Sequence, residues 1–174
     1  MRVKGRNMKK LGLAVALLLT APAWGRAENA DRTIHGQGYL FIGPIATSYG
    51  YEGGGLNTGF GGELLLTRDW GVGAELGYVG NSEGPLLGMG SIDFTNHFLA
   101  EKHRSRVEPF ASGGLSLYFG ERNVESGFNL GGGVNLWAAK HFGLRFEIRE
   151  NLGISREEFA ITHFAAFRIG VSFK

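Results

Sequence analysis

The stretch Thr162-His-Phe-Ala-Ala-Phe-Arg-Ile-Gly-Val-Ser-Phe-Lys174 alternates between two kinds of residue. One phase is apolar, and the other carries a single charge, Arg168, flanked in that phase by small residues. The apolar phase contains Ala165, Phe167, Ile169, Val171 and Phe173. Alternation with a period of two predicts a β-strand. An apolar face opposite an isolated arginine predicts that the apolar face contacts lipid while the arginine points into a barrel.

The same alternation recurs along the chain and predicts eight strands, an even number. The connections between them alternate in length, and the first, third, fifth and seventh are mostly the longer ones, as expected for extracellular loops. The sequence therefore predicts an all-β fold, an eight-stranded antiparallel up-and-down transmembrane β-barrel. The predicted strands are 33–45, 57–67, 70–80, 86–98, 107–119, 127–138, 142–150 and 161–173.

The phase of each strand predicts which side chains face lipid. In the third strand Leu76 belongs to the outward set and Glu75 to the inward set. In the first strand Leu40 and Ile42 are expected to point outward, because Gln37 fixes the other phase. Inward glycines are expected to relieve crowding in a narrow barrel. A small polar side chain is expected to be tolerated at one of them, Gly77.

The N-terminus has the pattern of a secretory signal peptide. Five basic residues precede an apolar run, Leu11–Ala23, that is too short to cross a bilayer as a helix. Small residues follow it, and we expect cleavage after Ala27. Residues 1–27 are thus interpreted as a signal peptide and residues 28–174 as one outer-membrane β-barrel domain.

Removal of that segment changes the charge of the chain. Six of the 18 Lys and Arg residues lie in residues 1–27, which leaves 12 bases against 16 acids, a net charge of about −4. No reason to expect nucleic-acid binding remains. The chain has no cysteine, which excludes disulfides, thiolate metal sites and thiol catalysis.

Charged residues of the inward phases form the candidate site. An eight-stranded barrel is just wide enough for side chains to fill its interior. We therefore expect these charges to pair and close the lumen; the alternative is a narrow cation-selective pore, since acids outnumber bases. The predicted lumen charge network consists of Glu63, Glu75, Asp93, Glu108, Arg145, Glu147, Arg149 and Arg168.

Catalytic and metal sites are not indicated. The five histidines show no metal-ligand spacing, so no metal or other cofactor is expected. A barrel enzyme acting on lipid would need a Ser and His pair, or a His with an acid, at a rim or on the lipid face. His163 falls in the outward phase near the extracellular end of the last strand, but no serine follows it until Ser172. An interfacial position is the favoured interpretation of His163.

Several segments resemble the outer-membrane β-barrel domain family, the eight-stranded barrels of the OmpA transmembrane-domain and OmpX type. They are Phe110–Leu115, Asn129–Asn135 leading to Phe142–Arg149, and the aromatic-rich final strand. The resemblance implies a location in the outer membrane of a diderm bacterium, insertion by the barrel-assembly machinery, and an adhesion, stress or structural role. The last residue, Lys174, differs from the Phe or Trp that usually ends such barrels.

These observations favour a monomeric, non-enzymatic, porin-like barrel surrounded by outer-membrane lipid. It is expected to contribute to envelope integrity or to surface contact through its extracellular loops. Two alternatives to a membrane barrel without catalysis remain open beside the pore: a soluble periplasmic lipocalin-like binding barrel and a lipid-modifying barrel enzyme. The lipocalin alternative is disfavoured because the charged phase is sparse, whereas the exterior of a soluble barrel is densely polar.

Overall fold

A computed structural model describes residues 35–47, 55–81, 87–98, 106–120, 124–154 and 161–174. The predicted signal peptide and most of the connections that join the strands at one end lie outside these residues. The prediction of eight antiparallel strands is confirmed. The strands are β1 (His35–Thr47), β2 (Gly55–Leu65), β3 (Trp70–Asn81), β4 (Leu87–His97), β5 (Val107–Phe119), β6 (Val124–Ala139), β7 (Phe142–Ile154) and β8 (Ile161–Phe173).

Each strand pairs with its neighbours in sequence, and β1 pairs with β8, so the sheet closes into a barrel. Closure leaves no strand edge unpaired, which is required of a sheet in lipid. We call the end with the turns 66–69 and 140–141 the turn end and the opposite end the loop end. Within the described residues, no helix is long and apolar enough to cross a bilayer.

The strands are strongly staggered. A path of paired residues that leaves β1 at Thr47 and passes through all the other strands returns to β1 at Gln37, well below its starting point. Such a stagger tilts the strands relative to the barrel axis. The path passes through Phe164, Asn151, Asn129, Gly114, Asp93, Gly73 and Glu63.

The outer face carries large apolar side chains on every strand, and we call this surface the apolar belt. Leu76 is 56% exposed and Ile148 is 64% exposed, whereas their inward neighbours are buried. A soluble barrel would have the opposite arrangement, so the lipocalin alternative is wrong. The belt includes Leu40, Phe60, Leu76, Ile92, Leu115, Phe128, Ile148 and Phe167.

The strand boundaries differ from the prediction mainly in β2 and β7. Strand β2 ends at Leu65, two residues early, because Thr67 accepts hydrogen bonds at Oγ1 from the backbone N–H groups of Asp69 (3.3 Å) and Trp70 (3.0 Å) and thereby forms the turn. Strand β7 continues to Ile154, because the Asn151 amide turns inward and accepts a hydrogen bond from the Tyr118 hydroxyl at 3.1 Å. Polar inward residues at the ends of strands hide both boundaries from a search for apolar alternation.

Inward glycines lie opposite the large inward side chains. A Cβ at Gly61 would lie 2.7 Å from the Tyr39 ring, and one at Gly133 would lie 2.8 Å from Phe110 Cζ. The expectation that inward aromatic side chains approach the glycine run 131–133 is thus confirmed. The tolerance expected at Gly77 is wrong, since a Cβ there would collide with the backbone carbonyl oxygen of Thr58.

A matched pair of substitutions tests this packing. Gly61→Ala should lower the free energy of unfolding by about 1–3 kcal/mol, because the buried Tyr39 ring has to move. Gly62→Ala, one residue away, should have little effect, since its Cβ would be 3.6 Å from the nearest atom. Urea titrations of both variants folded in lipid vesicles measure the difference, and equal stability would contradict the packing.

Substitution in the apolar belt tests the lipid face. Leu76→Arg should cost about 2–4 kcal/mol of folding free energy in bilayers, because it places a charge near the middle of the belt. The same change at Val124, an exposed residue at the loop end of β6, should cost at most about 1 kcal/mol. Folding yields in vesicles provide the measurement, and similar costs at the two positions would contradict the assignment.

Candidate functional site

The structure places the eight residues of the predicted charge network inside the barrel, each at most 4% exposed. It divides them into two groups. Six residues from β3, β4, β7 and β8 occupy the middle of the lumen, and we call them the central network. Glu63 and Glu108 lie nearer the turn end, away from this group. The central network consists of Glu75, Asp93, Arg145, Glu147, Arg149 and Arg168.

Arg149 bridges three carboxylates from three strands. Its Nε donates to Glu147 Oε1 at 2.6 Å, and its Nη1 lies 2.9 Å from Glu75 Oε2 and 3.1 Å from Asp93 Oδ2. Charge-assisted hydrogen bonds of this kind are the stronger ones in proteins. Because Arg149 lies on β7 while Glu75 and Asp93 lie on β3 and β4, these contacts cross the lumen.

Arg168 makes a second bridge. Its Nη1 lies 3.0 Å from Glu75 Oε2 but 3.8 Å from Glu147 Oε1, and its Nε donates to Asn57 Oδ1 at 2.6 Å. Its guanidinium carbon also lies 4.2 Å from the centre of the Phe41 ring. Glu75 on the far wall is therefore the main partner of Arg168, although Glu147 is opposite it on the adjacent strand.

Arg145 lies between two aromatic rings. Its guanidinium carbon is 4.3 Å from the centre of the Tyr39 ring and 3.9 Å from that of Phe110, and its Nε donates to Glu147 Oε2 at 3.1 Å. Stacking on aromatic faces suits the planar guanidinium. Tyr39 also donates its hydroxyl hydrogen to Glu75 Oε1 at 2.8 Å. The rings therefore extend the central network toward the turn end.

A second group, which we call the turn-end cluster, contains Glu63, His97, Glu108 and Lys174. His97 lies between two carboxylates, with Nε2 at 2.9 Å from Glu63 Oε1 and Nδ1 at 2.8 Å from Glu108 Oε1. An imidazolium, which carries a proton on both ring nitrogens, fits this arrangement. Lys174 Nζ donates to Glu108 Oε2 at 2.8 Å.

The two groups give the lumen a balanced charge. Three carboxylates and three guanidinium groups form the central network, while Glu63 and Glu108 have His97 and Lys174 as their cationic partners. The excess of inward acids counted from the sequence came from leaving these two residues out. His97 was set aside because the histidines lacked metal-ligand spacing, although the phase of β4 places it inward beside Asp93.

Apolar side chains close the lumen toward the loop end. The Tyr118 and Phe164 rings meet edge to face, with 5.9 Å between their centres. All members of this layer are buried, and we call it the apolar layer. It consists of Ile45, Val79, Met89, Tyr118 and Phe164.

Neutral polar residues complete the site, and sequence reasoning did not include them. Asn57 holds Arg168, and Asn129 donates to Asp93 Oδ1 at 2.8 Å and to Ser116 Oγ at 2.9 Å. Their position in the inward phase is the signal that could have found them. Among the residues described, no group of three or more His, Asp and Glu side chains is arranged to hold a metal ion.

Comparisons with known proteins agree with this geometry. The crystal structure of Neisserial surface protein A matches with a TM-score of 0.66 at 16% identity, covering 84% of this chain and 99% of that one. This chain has the fold of an eight-stranded outer-membrane barrel. The N-terminal β-barrel domain of Pseudomonas aeruginosa OprF matches with a TM-score of 0.57 at 15% identity, covering 81% of this chain and 100% of that domain.

Comparisons of sequence alone gave no relative. No protein-family model matches the chain, and neither does any curated protein. The resemblance drawn from the sequence is therefore confirmed as a resemblance of fold.

The contacts of Arg168 lead to a double-mutant test. Arg168→Met should lower the free energy of unfolding by about 3–5 kcal/mol, because it leaves buried carboxylates without a cation. Adding Glu75→Gln should recover more of this loss than adding Glu147→Gln, since Glu75 is the closer partner. Urea unfolding in vesicles measures both cycles. A larger recovery with Glu147→Gln would contradict the pairing described here.

Proposed function

We propose that this protein is a non-enzymatic barrel of the outer membrane of a diderm bacterium, with a lumen that does not conduct ions. In this proposal it contributes to envelope integrity or to surface contact through the connections at its loop end, which face the exterior. The observation that carries the proposal is the filling of the lumen by three successive layers: the turn-end cluster, the central network and the apolar layer.

The charge balance argues against the cation-selective pore. A selective path needs a surplus of fixed charge along a hydrated route. Here the central carboxylates are engaged by guanidinium groups, with Arg149 and Arg168 each 1% exposed. The apolar layer adds a second barrier, because an ion crossing it would lose its hydration without gaining polar contacts.

The engagement of the ionisable groups also argues against an enzyme in the lumen. A general base has to reach a proton on a substrate, whereas Glu75, Asp93 and Glu147 are buried in contacts with arginines. Ser91 and Ser116 are likewise buried in hydrogen bonds to lumen side chains. The non-enzymatic proposal rests on these contacts.

Location and partners follow from the outer surface and from the N-terminus. The apolar belt requires a bilayer, and outer-membrane barrels are strand-based proteins with polar interiors and apolar exteriors. The predicted signal peptide would take the chain out of the cytoplasm, and we propose that the barrel-assembly machinery inserts it as a monomer among outer-membrane lipids. The name of its structural neighbour, Neisserial surface protein A, is consistent with exposure at the cell surface.

Planar-bilayer recording tests the closed lumen. Wild-type protein, shown to be folded by heat-modifiable gel migration, should give no steady current in KCl, because side chains fill the lumen. A variant combining Arg168→Ala, Glu75→Ala and Phe164→Ala should conduct measurably more, since it removes parts of the central network and of the apolar layer. A stable cation-selective current from the wild type would overturn the proposal in favour of the pore.

A further inference from the structure

One carboxylate lies on the outer face of the barrel, inside the apolar belt. Glu150 on β7 continues the outward phase of Leu144, Phe146 and Ile148. Ile148, two residues toward the turn end, is 64% exposed, and Leu152, two residues toward the loop end, is 41% exposed. Glu150 therefore has lipid-facing side chains on both sides of it along its own strand.

The neighbouring strands show the same depth. The Cα partner of Glu150 on β6 is Leu130, and its partner on β8 is Ala165. On β6 the exposed Phe128 and Val124 lie nearer the loop end than Leu130 does. Glu150 thus lies within the loop-end half of the belt and not at its boundary.

A histidine from the next strand meets this carboxylate. His163 Nδ1 lies 3.0 Å from Glu150 Oε1, and the two side chains are 46% and 41% exposed, respectively. The pairs in the lumen, in contrast, are almost completely buried. The Glu150–His163 pair therefore presents polar atoms toward the acyl chains and headgroups of the surrounding lipid.

Such a pair is costly on a lipid-facing surface unless polar groups solvate it. Ionisable groups in the apolar zone pair with one another and mark binding sites or pathways for polar ligands. Beside the pair, the small residues Ala165 and Ala46 are Cα partners across β8 and β1. Their short side chains leave a shallow surface next to Glu150, where a lipid can approach the barrel wall closely.

We propose that Glu150 and His163 form a binding site for a membrane lipid whose backbone carries hydroxyl or amide hydrogen-bond donors below its headgroup. The Glu150 carboxylate accepts a hydrogen bond from such a donor, and the imidazole of His163 contacts the polar region nearer the loop end. Acyl chains lie against Leu130 and Ile148. A lipid without donors at this depth leaves the carboxylate without that hydrogen bond. The placement of this lipid in the outer leaflet rests on the proposed function.

Lipid-retention measurements on the folded full chain test the site. Lipid A carries hydroxyl and amide donors on its acyl chains and sugar backbone, and phosphatidylcholine does not, so these two lipids are the probes. Native mass spectrometry from detergent micelles should show wild-type protein retaining lipid A in preference to phosphatidylcholine. Glu150→Leu and His163→Phe should each lower the affinity for lipid A about tenfold, the size expected for loss of a hydrogen bond to a charged group.

Two controls separate a lost site from a damaged barrel. Tyr78→Phe removes a hydroxyl from an exposed tyrosine of β3 elsewhere on the belt and should leave lipid A affinity unchanged. Glu150→Leu should fold in vesicles at least as well as the wild type, because it removes a carboxylate from the lipid face.

Equal affinity for lipid A in the wild type, Glu150→Leu and His163→Phe would overturn the site. A steady current from wild-type protein whose lipid A affinity still depends on Glu150 would overturn the closed lumen and support the site. The two proposals can therefore fail independently.

Discussion

The pairing of charge inside a sealed lumen is the constraint on which the rest of this structure depends. Lipid surrounds the barrel, and the lumen is too narrow for bulk water, so each inward ion needs a partner of opposite charge. Arg149 satisfies three carboxylates at once, and two of them come from strands on the far wall. These contacts require the observed register, because a slip of one residue would turn the arginine toward lipid.

Glycine makes this interior possible. The chain has 30 glycines, and many of those in the strands lie where a Cβ would collide with a neighbour. Gly71 leaves the space that the Glu63 carboxylate occupies, and Gly114 leaves the space beside Asp93. Large aromatic and charged side chains fit in a narrow barrel because the facing positions have no side chain, so the glycine content and the lumen network depend on each other.

The number of strands, their faces and the inward charges could be predicted from the sequence, because alternation is a local property. The pairing of those charges could not, because it depends on the stagger of strands that are distant in sequence. Glu147 was the expected partner of Arg168 since it is adjacent on β7, but Arg149 and Arg145 on its own strand hold its carboxylate. The role of His97 depends similarly on Glu63 and Glu108, which the fold brings to its two ring nitrogens.

The same residue types have different consequences on the two faces of the sheet. Glu75 in the lumen receives hydrogen bonds from Tyr39, Arg149 and Arg168, so the barrel itself supplies its solvation. Glu150 receives a contact from His163 while two fifths of its side chain remains exposed on the lipid-facing surface. Satisfied carboxylates stabilise the fold and are closed to ligands, whereas an exposed carboxylate in the apolar belt is completed by the membrane. The strand phase that brings Glu147 into the lumen and the register that brings His163 to Glu150 thus give β7 two functions, one inside the barrel and one at its lipid surface.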